Sequence, residues 1–360
     1  MSSFTDEATY RLYATGWAVV KRLPERTAYR LFERIADRMW KKQGRSVLQL
    51  ERNLARVLGP QATPERIREV SRQSLRNYLR YWCETFRLET WDTERRSTDF
   101  HPENPEFLHE VIGTGRGAVL ALPHMANWDS AGAWLTTWQP GFTTVAERLK
   151  PEKLYQRFFD FRESLGFEVL PLTGGSRTLL KLAKRLRAGG VVCLVADRDL
   201  TAGGVPVRFF GEAATFPSGS ASLALSTGAA LIPVTLWFDE KGQTAIFGQE
   251  ILPPAEGTRE QKVAAMTRAI AAFFEEGIGK HPADWHMLQR FWLADLPPRE
   301  QAHQAGGPGE PGVAPAASAP VPAPATAPVE PGPEPAEASA AGVAADAAAE
   351  AALDPAQGAA

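Results

Sequence analysis

A chain of 360 residues with 44% hydrophobic content, 40 basic against 42 acidic residues and two cysteines can bury a substantial core, yet Cys83 and Cys193 support neither a disulfide framework nor a zinc site. Asp6 and Glu7 interrupt the start, and no run of about 18 uninterrupted apolar residues follows, so neither a signal peptide nor a spanning helix is expected. From Gln301 to Ala360 seven acidic residues and no Lys or Arg sit among Ala, Pro, Gly and Ser, a composition expected to stay disordered; the preceding 300 residues carry 40 basic against 35 acidic groups, and this modest +5, with no reader motif, argues against nucleic acid.

The first sixty residues are the basic part, with twelve Lys and Arg against six Asp and Glu, which points to an anionic partner. Tyr10, Tyr13, Ala14, Trp17, Val20 and Leu23 recur at helical spacing, as in an interfacial membrane helix or an ordinary amphipathic helix packed on the domain. Helical patterning continues to about Leu88, and Arg72, Arg76 and Arg80 form a stripe that reads as a solvated face. After a polar connection over Asp92–Pro105 the texture becomes short apolar strands alternating with helices. Strands are expected at Gly117–Pro123, Phe142–Ala146, Glu168–Leu170, Val191–Ala196, Ala230–Phe238 and Thr244–Phe247, with helices at Asn127–Trp138, Lys153–Leu165, Ser176–Arg187, Ser218–Thr227 and Glu260–Glu276. That order predicts an α/β fold with a mostly parallel central sheet flanked by helices. Residues 1–90 form a basic helical layer of the same fold, 91–298 the core and 299–360 the tail.

The run Gly117–Gly132 carries the chemistry, because an apolar strand delivers His124 and Asp129 into one turn before a helix. A carboxylate five residues on is expected to hold Nδ1–H and leave Nε2 as a general base; the alternative is a structural turn in which Asn127 or Asp129 merely caps the helix. No Gly-x-Ser-x-Gly elbow surrounds Ser130, so the nucleophile is expected to be the substrate's own hydroxyl. Glu147 and Arg148 end a strand, where α/β sheets place ligands, although an exposed ion pair fits equally. Arg162 lies at the end of an aromatic helix and either binds phosphate or only solvates that helix. Asp197, Arg198 and Asp199 leave the apolar strand Val191–Ala196 at its carboxyl end, which favours a site; no metal cluster is compelling. Val207–Gly211 and Pro217–Gly219 then lead into a helix whose first amides suit an oxyanion or phosphate.

Taken together, these motifs resemble the bacterial lysophospholipid acyltransferase superfamily and, within it, the lipid A lauroyl/myristoyl acyltransferases. His124-x4-Asp129 matches that family's catalytic motif, Asp197–Asp199 its acidic strand-end motif, and Val207–Gly211 with Pro217–Gly219 its later block. PHMANWDSAG, AERLKPE, DRDL with GVPVRFFGE, and the closing ADWHMLQRFW look closer to the actinobacterial phosphatidylinositol mannoside acyltransferases. The resemblance implies transfer of a fatty acyl chain from acyl-CoA, as co-substrate and with no cofactor, to a mannose hydroxyl of a membrane glycolipid at the cytoplasmic face of the membrane. His124 and Asp129 would be catalytic, and Glu147, Arg148, Arg162, Asp197 and Arg198 would shape the substrate site. An acyltransferase with a lysophospholipid or lipid A acceptor, and a non-catalytic lipid-binding module, are the alternatives.

Overall fold

The computed structural model describes residues 2–147, 151–172, 175–199 and 203–296; Arg148 and the segment 299–360 lie outside them. Four helices open the chain: α1 (Ser2–Arg22), α2 (Glu25–Lys42), α3 (Arg45–Leu58) and α4 (Pro64–Arg87). Thr63 caps α4 by accepting the Arg66 amide, with Pro64 in the first turn where its missing N–H costs nothing. Tyr13, Trp17 and Val20 are buried, and Trp17 lies among the rings of Phe86, Phe158 and Phe161. The apolar stripe of α1 is therefore core, and the interfacial-helix reading gives way to the packed amphipathic one. Arg87, itself buried, donates to the carbonyls of Val20 and Leu23 and so satisfies the end of α1.

The arginine stripe of α4 is not a free solvated face either. Arg72 and Arg76 both grip Asp37 of α2 with paired hydrogen bonds of 2.6–2.9 Å, and Arg80 bonds Glu84 at 2.7 Å. The two Asp37 pairs clamp α2 to α4, and their guanidiniums hold Asp37 well below the usual carboxylate range.

Beyond α5 (Thr93–Thr98) the chain builds β1 (Phe100–Glu103), α6 (Glu106–Gly113), β2 (Ala118–Leu122), α7 (Trp128–Leu135), β3 (Phe142–Ala146), α8 (Glu152–Ser164), β4 (Phe167–Pro171), α9 (Gly175–Arg187) and β5 (Val191–Val195). The hairpin β6 (Val205–Phe209) and β7 (Glu212–Phe216) precedes α10 (Gly219–Thr227), β8 (Ala230–Phe238), β9 (Gln243–Phe247) and α11 (Arg259–Lys280). Seven strands form one sheet in the order β1-β9-β8-β2-β5-β3-β4, parallel at every pairing except β8 with β9.

The short helices α5 and α6, the strand β1 and the hairpin β6–β7 depart from the sequence reading. β1 lies inside the expected polar connection, at the sheet edge, where Pro102 is tolerated. β6 and β7 pair through Phe210 and Gly211, whose φ of 48° and 81° give the loop its tight reversal. Trp292 seals that hairpin by donating to the Phe209 carbonyl.

Candidate active site

β2 and β5 are parallel neighbours with Leu122 opposite Val195, and the same register carried two residues past the strands sets His124 opposite Asp197. Because side chains alternate along a strand, His124 projects to the same face as Leu120 and Leu122, and Asp197 to the same face as Cys193 and Val195. His124 Nδ1 lies 2.6 Å from Asp197 Oδ1, while the His124 amide and the Trp285 indole N–H each reach Asp197 Oδ2 at 3.0 Å. Asp197 is fully buried. Burial works to raise its pKa, but the His124 charge and the hydrogen bonds from His124 and Trp285 outweigh it and hold the carboxyl below the usual range. An ionised Asp197 accepts only, so Nδ1 carries a proton and Nε2 is the ring nitrogen left to exchange one with a substrate.

This corrects the expected pairing of His124 with Asp129. Asp129 accepts from Arg162 Nε at 2.7 Å and Nη2 at 3.1 Å and from the Tyr81 hydroxyl at 3.1 Å, all beneath the first turn of α7. Burial disfavours the Arg162 charge, but the adjoining Asp129 more than offsets this and raises its pKa. Burial and the same carboxylate raise Tyr81, which keeps its proton and donates it. Arg162, expected either to bind phosphate or to solvate its helix, is thus the counter-ion of Asp129 in the wall of the slot.

The turn between His124 and α7 is fixed by distant residues. Asn127 caps α7 by accepting the Ser130 amide at 3.0 Å, and its side-chain amide donates to Glu84 at 2.9 Å. Gln243, buried at the start of β9, clamps the backbone of Asn127 from both sides, accepting its N–H and donating to its carbonyl. Ala126 takes a φ of +45°, a cost that persists because its N–H donates to the Asp284 carbonyl and its own carbonyl faces His286 Nε2 at 3.0 Å. Burial pushes His286 down to about 3, so it is neutral, and the carbonyl partner assigns its proton to Nε2.

Asp284, on the same segment, is pushed up to about 7 by burial, against the hydrogen bonds from the Phe238 amide and Asn77. Its folded pKa exceeds the unfolded value, so its proton is held more tightly by the folded state and stability falls as pH rises from about 4 to about 7. Asp284→Asn, whose Oδ1 still accepts both bonds, is expected to melt several degrees higher than the parent at pH 8 and within a degree at pH 4. The bound is about 4 kcal/mol for three pH units. Equal melting temperatures at pH 8 would refute the assignment.

A slot roofed by α7 runs across the sheet face that carries His124 and Asp197. Its lining comes from several strands and includes Leu120, Leu122, Cys193, Val195, Val234 and Phe247, with Phe142 and Phe167 towards one end and Phe100 and Trp134 towards the other. Asp129 and Arg162 are its charged members. Glu147 is exposed at the end of β3, in a recess shared with Tyr155, Phe158 and Arg162, and Arg198 is half-buried one residue past Asp197. Neither hydrogen-bonds a described residue. Ser218 gives α10 no side-chain cap.

The residues missed in the sequence are Trp285, Tyr81, Glu84 and Gln243. Trp285 had a visible signal, an aromatic beside an acid in the closing His281–Trp292 segment, but that segment reads as packing alone. No local signal marks the other three.

The family model for bacterial lipid A biosynthesis acyltransferases matches residues 2–294. A phosphatidylinositol mannoside acyltransferase of Mycobacterium tuberculosis is 49% identical over 300 residues, 82% of this chain and 92% of that protein. One of Mycolicibacterium smegmatis is 48% identical over 293 residues, 81% of this chain and 93% of its own length. Among solved structures, a 1-acyl-sn-glycerophosphate acyltransferase of Thermotoga maritima aligns over 57% of this chain and 87% of its own at 15% identity, with a TM-score of 0.33.

Proposed function

Because this chain belongs to the bacterial lipid A biosynthesis acyltransferase family, we propose that it transfers a fatty acyl chain from acyl-CoA to a mannose hydroxyl of a phosphatidylinositol mannoside, with His124 as general base. The observation that carries the mechanism is a histidine whose Nδ1 is held by a buried carboxylate and whose ring packs edge-on against Trp128, a residue lining the apolar slot. The names of the relatives support the acceptor.

In the proposed reaction His124 Nε2 takes the proton of the sugar hydroxyl while its oxygen bonds to the thioester carbonyl carbon. Collapse of the tetrahedral intermediate breaks the C–S bond, and the thiol leaves with the proton from the imidazolium. Asp197 stabilises that imidazolium and fixes its tautomer. A protein thiol is a poor substitute nucleophile, since burial raises the pKa of both Cys83 and Cys193. Mass spectrometry of a phosphatidylinositol mannoside incubated with the purified protein and a long-chain acyl-CoA tests the reading. One added acyl group is expected; acylation of a lysophospholipid instead, or of nothing, would overturn it.

The slot suits the acyl chain. Its resting volume of about 90 Å³ equals the share of about three water molecules, so a long chain enters by moving rings such as Phe142 and Phe167. A Cβ on Gly132 would stand 2.7 Å from Phe167 and 2.8 Å from Phe142. Gly132→Val is expected to shift donor preference to shorter acyl-CoA chains, lowering kcat/KM for the longest donors about tenfold; an unchanged chain-length profile would count against this use of the slot.

No helix among the described residues is long and apolar enough to cross a membrane. The surface that supports peripheral attachment is electrostatic: Arg26, Arg30, Arg34 and Arg38 recur every four residues on α2, exposed and without a partner among the described residues. Each cation near an anionic bilayer contributes about 1 kcal/mol. Sedimentation with phosphatidylinositol-containing vesicles is expected to fall steeply with salt and to drop at least tenfold in Arg30→Glu/Arg34→Glu. Equal binding to neutral phosphatidylcholine vesicles would remove this surface from the account.

A further inference from the structure

The closing segment grips the catalytic pair from both of its strands. Asp284, Trp285 and His286 run antiparallel to the turn that follows His124, with Met125 bridged to Trp285. The Asp284 carbonyl accepts the Ala126 N–H at 3.0 Å, the His286 N–H donates to the His124 carbonyl at 2.8 Å, and between them the Trp285 indole reaches Asp197 Oδ2 at 3.0 Å. Three consecutive residues thereby tie the end of β2 to the end of β5. Among the described residues Trp285 is the one donor to the Asp197 carboxylate besides His124 itself.

The indole has little freedom to turn away. It is fully buried among the rings of Phe209, Phe291 and Trp292. Asn77 donates to the Ala283 carbonyl and to Asp284 Oδ1, and Asn53 to the carbonyls of Met287 and Gln289, so α3 and α4 pin the backbone on either side. Packing alone would be served by any aromatic ring. The N–H adds chemistry: a donor on an ionised carboxylate draws off part of its charge, and here Oδ2 is shared by two N–H groups while Oδ1 is left to the imidazole.

We infer that Trp285 is a positioning residue for acyl transfer, fixing the tilt of Asp197 and tempering its pull on the His124 imidazolium, so that the indole N–H sets the pH at which the base becomes free. The inference rests on the general-base reaction proposed above. Without that N–H the carboxylate charge gathers towards Nδ1, the imidazolium keeps its proton to higher pH, and Oδ2, left with one donor, is free to tilt. The other ionisable groups around Asp197 are His286, which burial keeps neutral, and Arg198 and Asp199, which follow it in the chain; Asp284, one residue before Trp285, is pushed up to about 7.

Trp285→benzothienylalanine, introduced into the full chain by nonsense suppression, keeps the fused ring and exchanges only the N–H for sulfur; Trp285→Phe is its encoded counterpart. Both are expected to lower kcat roughly tenfold, with the KM for the glycolipid and for the thioester within about twofold of the parent. The acid limb of the kcat/KM profile should move up by about one pH unit, the order that one hydrogen bond to a charged group supplies. The same shift is expected in an Asp284→Asn background, which removes the neighbouring titration. In Asp197→Asn, where no carboxylate is left to temper, the indole variants should cost less than about twofold more. Proton–nitrogen NMR of the His124 imidazole in the substrate-free chain follows the same midpoint without turnover. An unmoved or lowered midpoint in the benzothienyl protein, with a melting curve near the parent's, would overturn the inference and leave the reaction standing. A raised midpoint in a chain that never acylates a mannoside would uphold the role of Trp285 and refute the reaction.

Discussion

Asp197→Asn is expected to lower kcat by roughly 10³- to 10⁴-fold, the order seen when a base histidine is left in the wrong tautomer, and His124→Ala to abolish acyl transfer, with far-ultraviolet dichroism and melting curves close to the parent. The geometry dictates the first loss. Two donors, the His124 amide and the Trp285 indole, face Oδ2 of Asp197, so the oxygen of an asparagine must take that place. Its NH₂ then faces Nδ1, forces Nδ1 to accept and moves the histidine proton to Nε2, where the base is needed. Retention of more than a tenth of the parent kcat in Asp197→Asn would show that the carboxylate does not set the tautomer.

The other large effect is on folding. Asp129→Ala leaves Arg162, whose side chain is 18% exposed, without its carboxylate and removes the acceptor of the Tyr81 hydroxyl. Breaking one partner from a buried pair costs about 3–5 kcal/mol, which for a domain of this size lowers the melting temperature by on the order of ten degrees. Turnover falls with it because Asp129 anchors the first turn of α7 behind His124. Replacing the pair together, Asp129→Leu with Arg162→Met, should recover most of the stability, since no charge is then stranded. A melting temperature within about two degrees of the parent for Asp129→Ala would mean that the pair contributes little, as an exposed ion pair does.

The strand from Ala118 to Leu122, the cap at Asn127 and the helix after it were legible because their signals are local: an apolar run, a capping side chain, a three- to four-residue recurrence. His124 could be singled out for the same reason. Its partner could not. Asp197 lies 73 residues further on, and only the register of β2 against β5 brings the two together. Three charges leaving one apolar strand marked Asp197 as a site residue without saying what it faced. The basic stripe of α4 misled for a related reason, since periodicity gives the face of a helix and not the Asp37 that lies against it. β1 is short, polar and at an edge, so no pattern of its own announces it.

The turn from Ala126 to Ser130 is tied down by Asp284, His286, Gln243 and, through Asn127, Glu84, residues drawn from both ends of the chain. No small opening frees those amides. In deuterium oxide the N–H groups of Ala126, Asn127 and Ser130 should therefore exchange only through global unfolding, at rates that follow the denaturant dependence of the whole domain, whereas the exposed amides of the β8–β9 turn exchange through local fluctuation. Catalytic readiness and overall stability are coupled in this protein, and a destabilising change as far away as α4 will register first as a faster-exchanging Ser130.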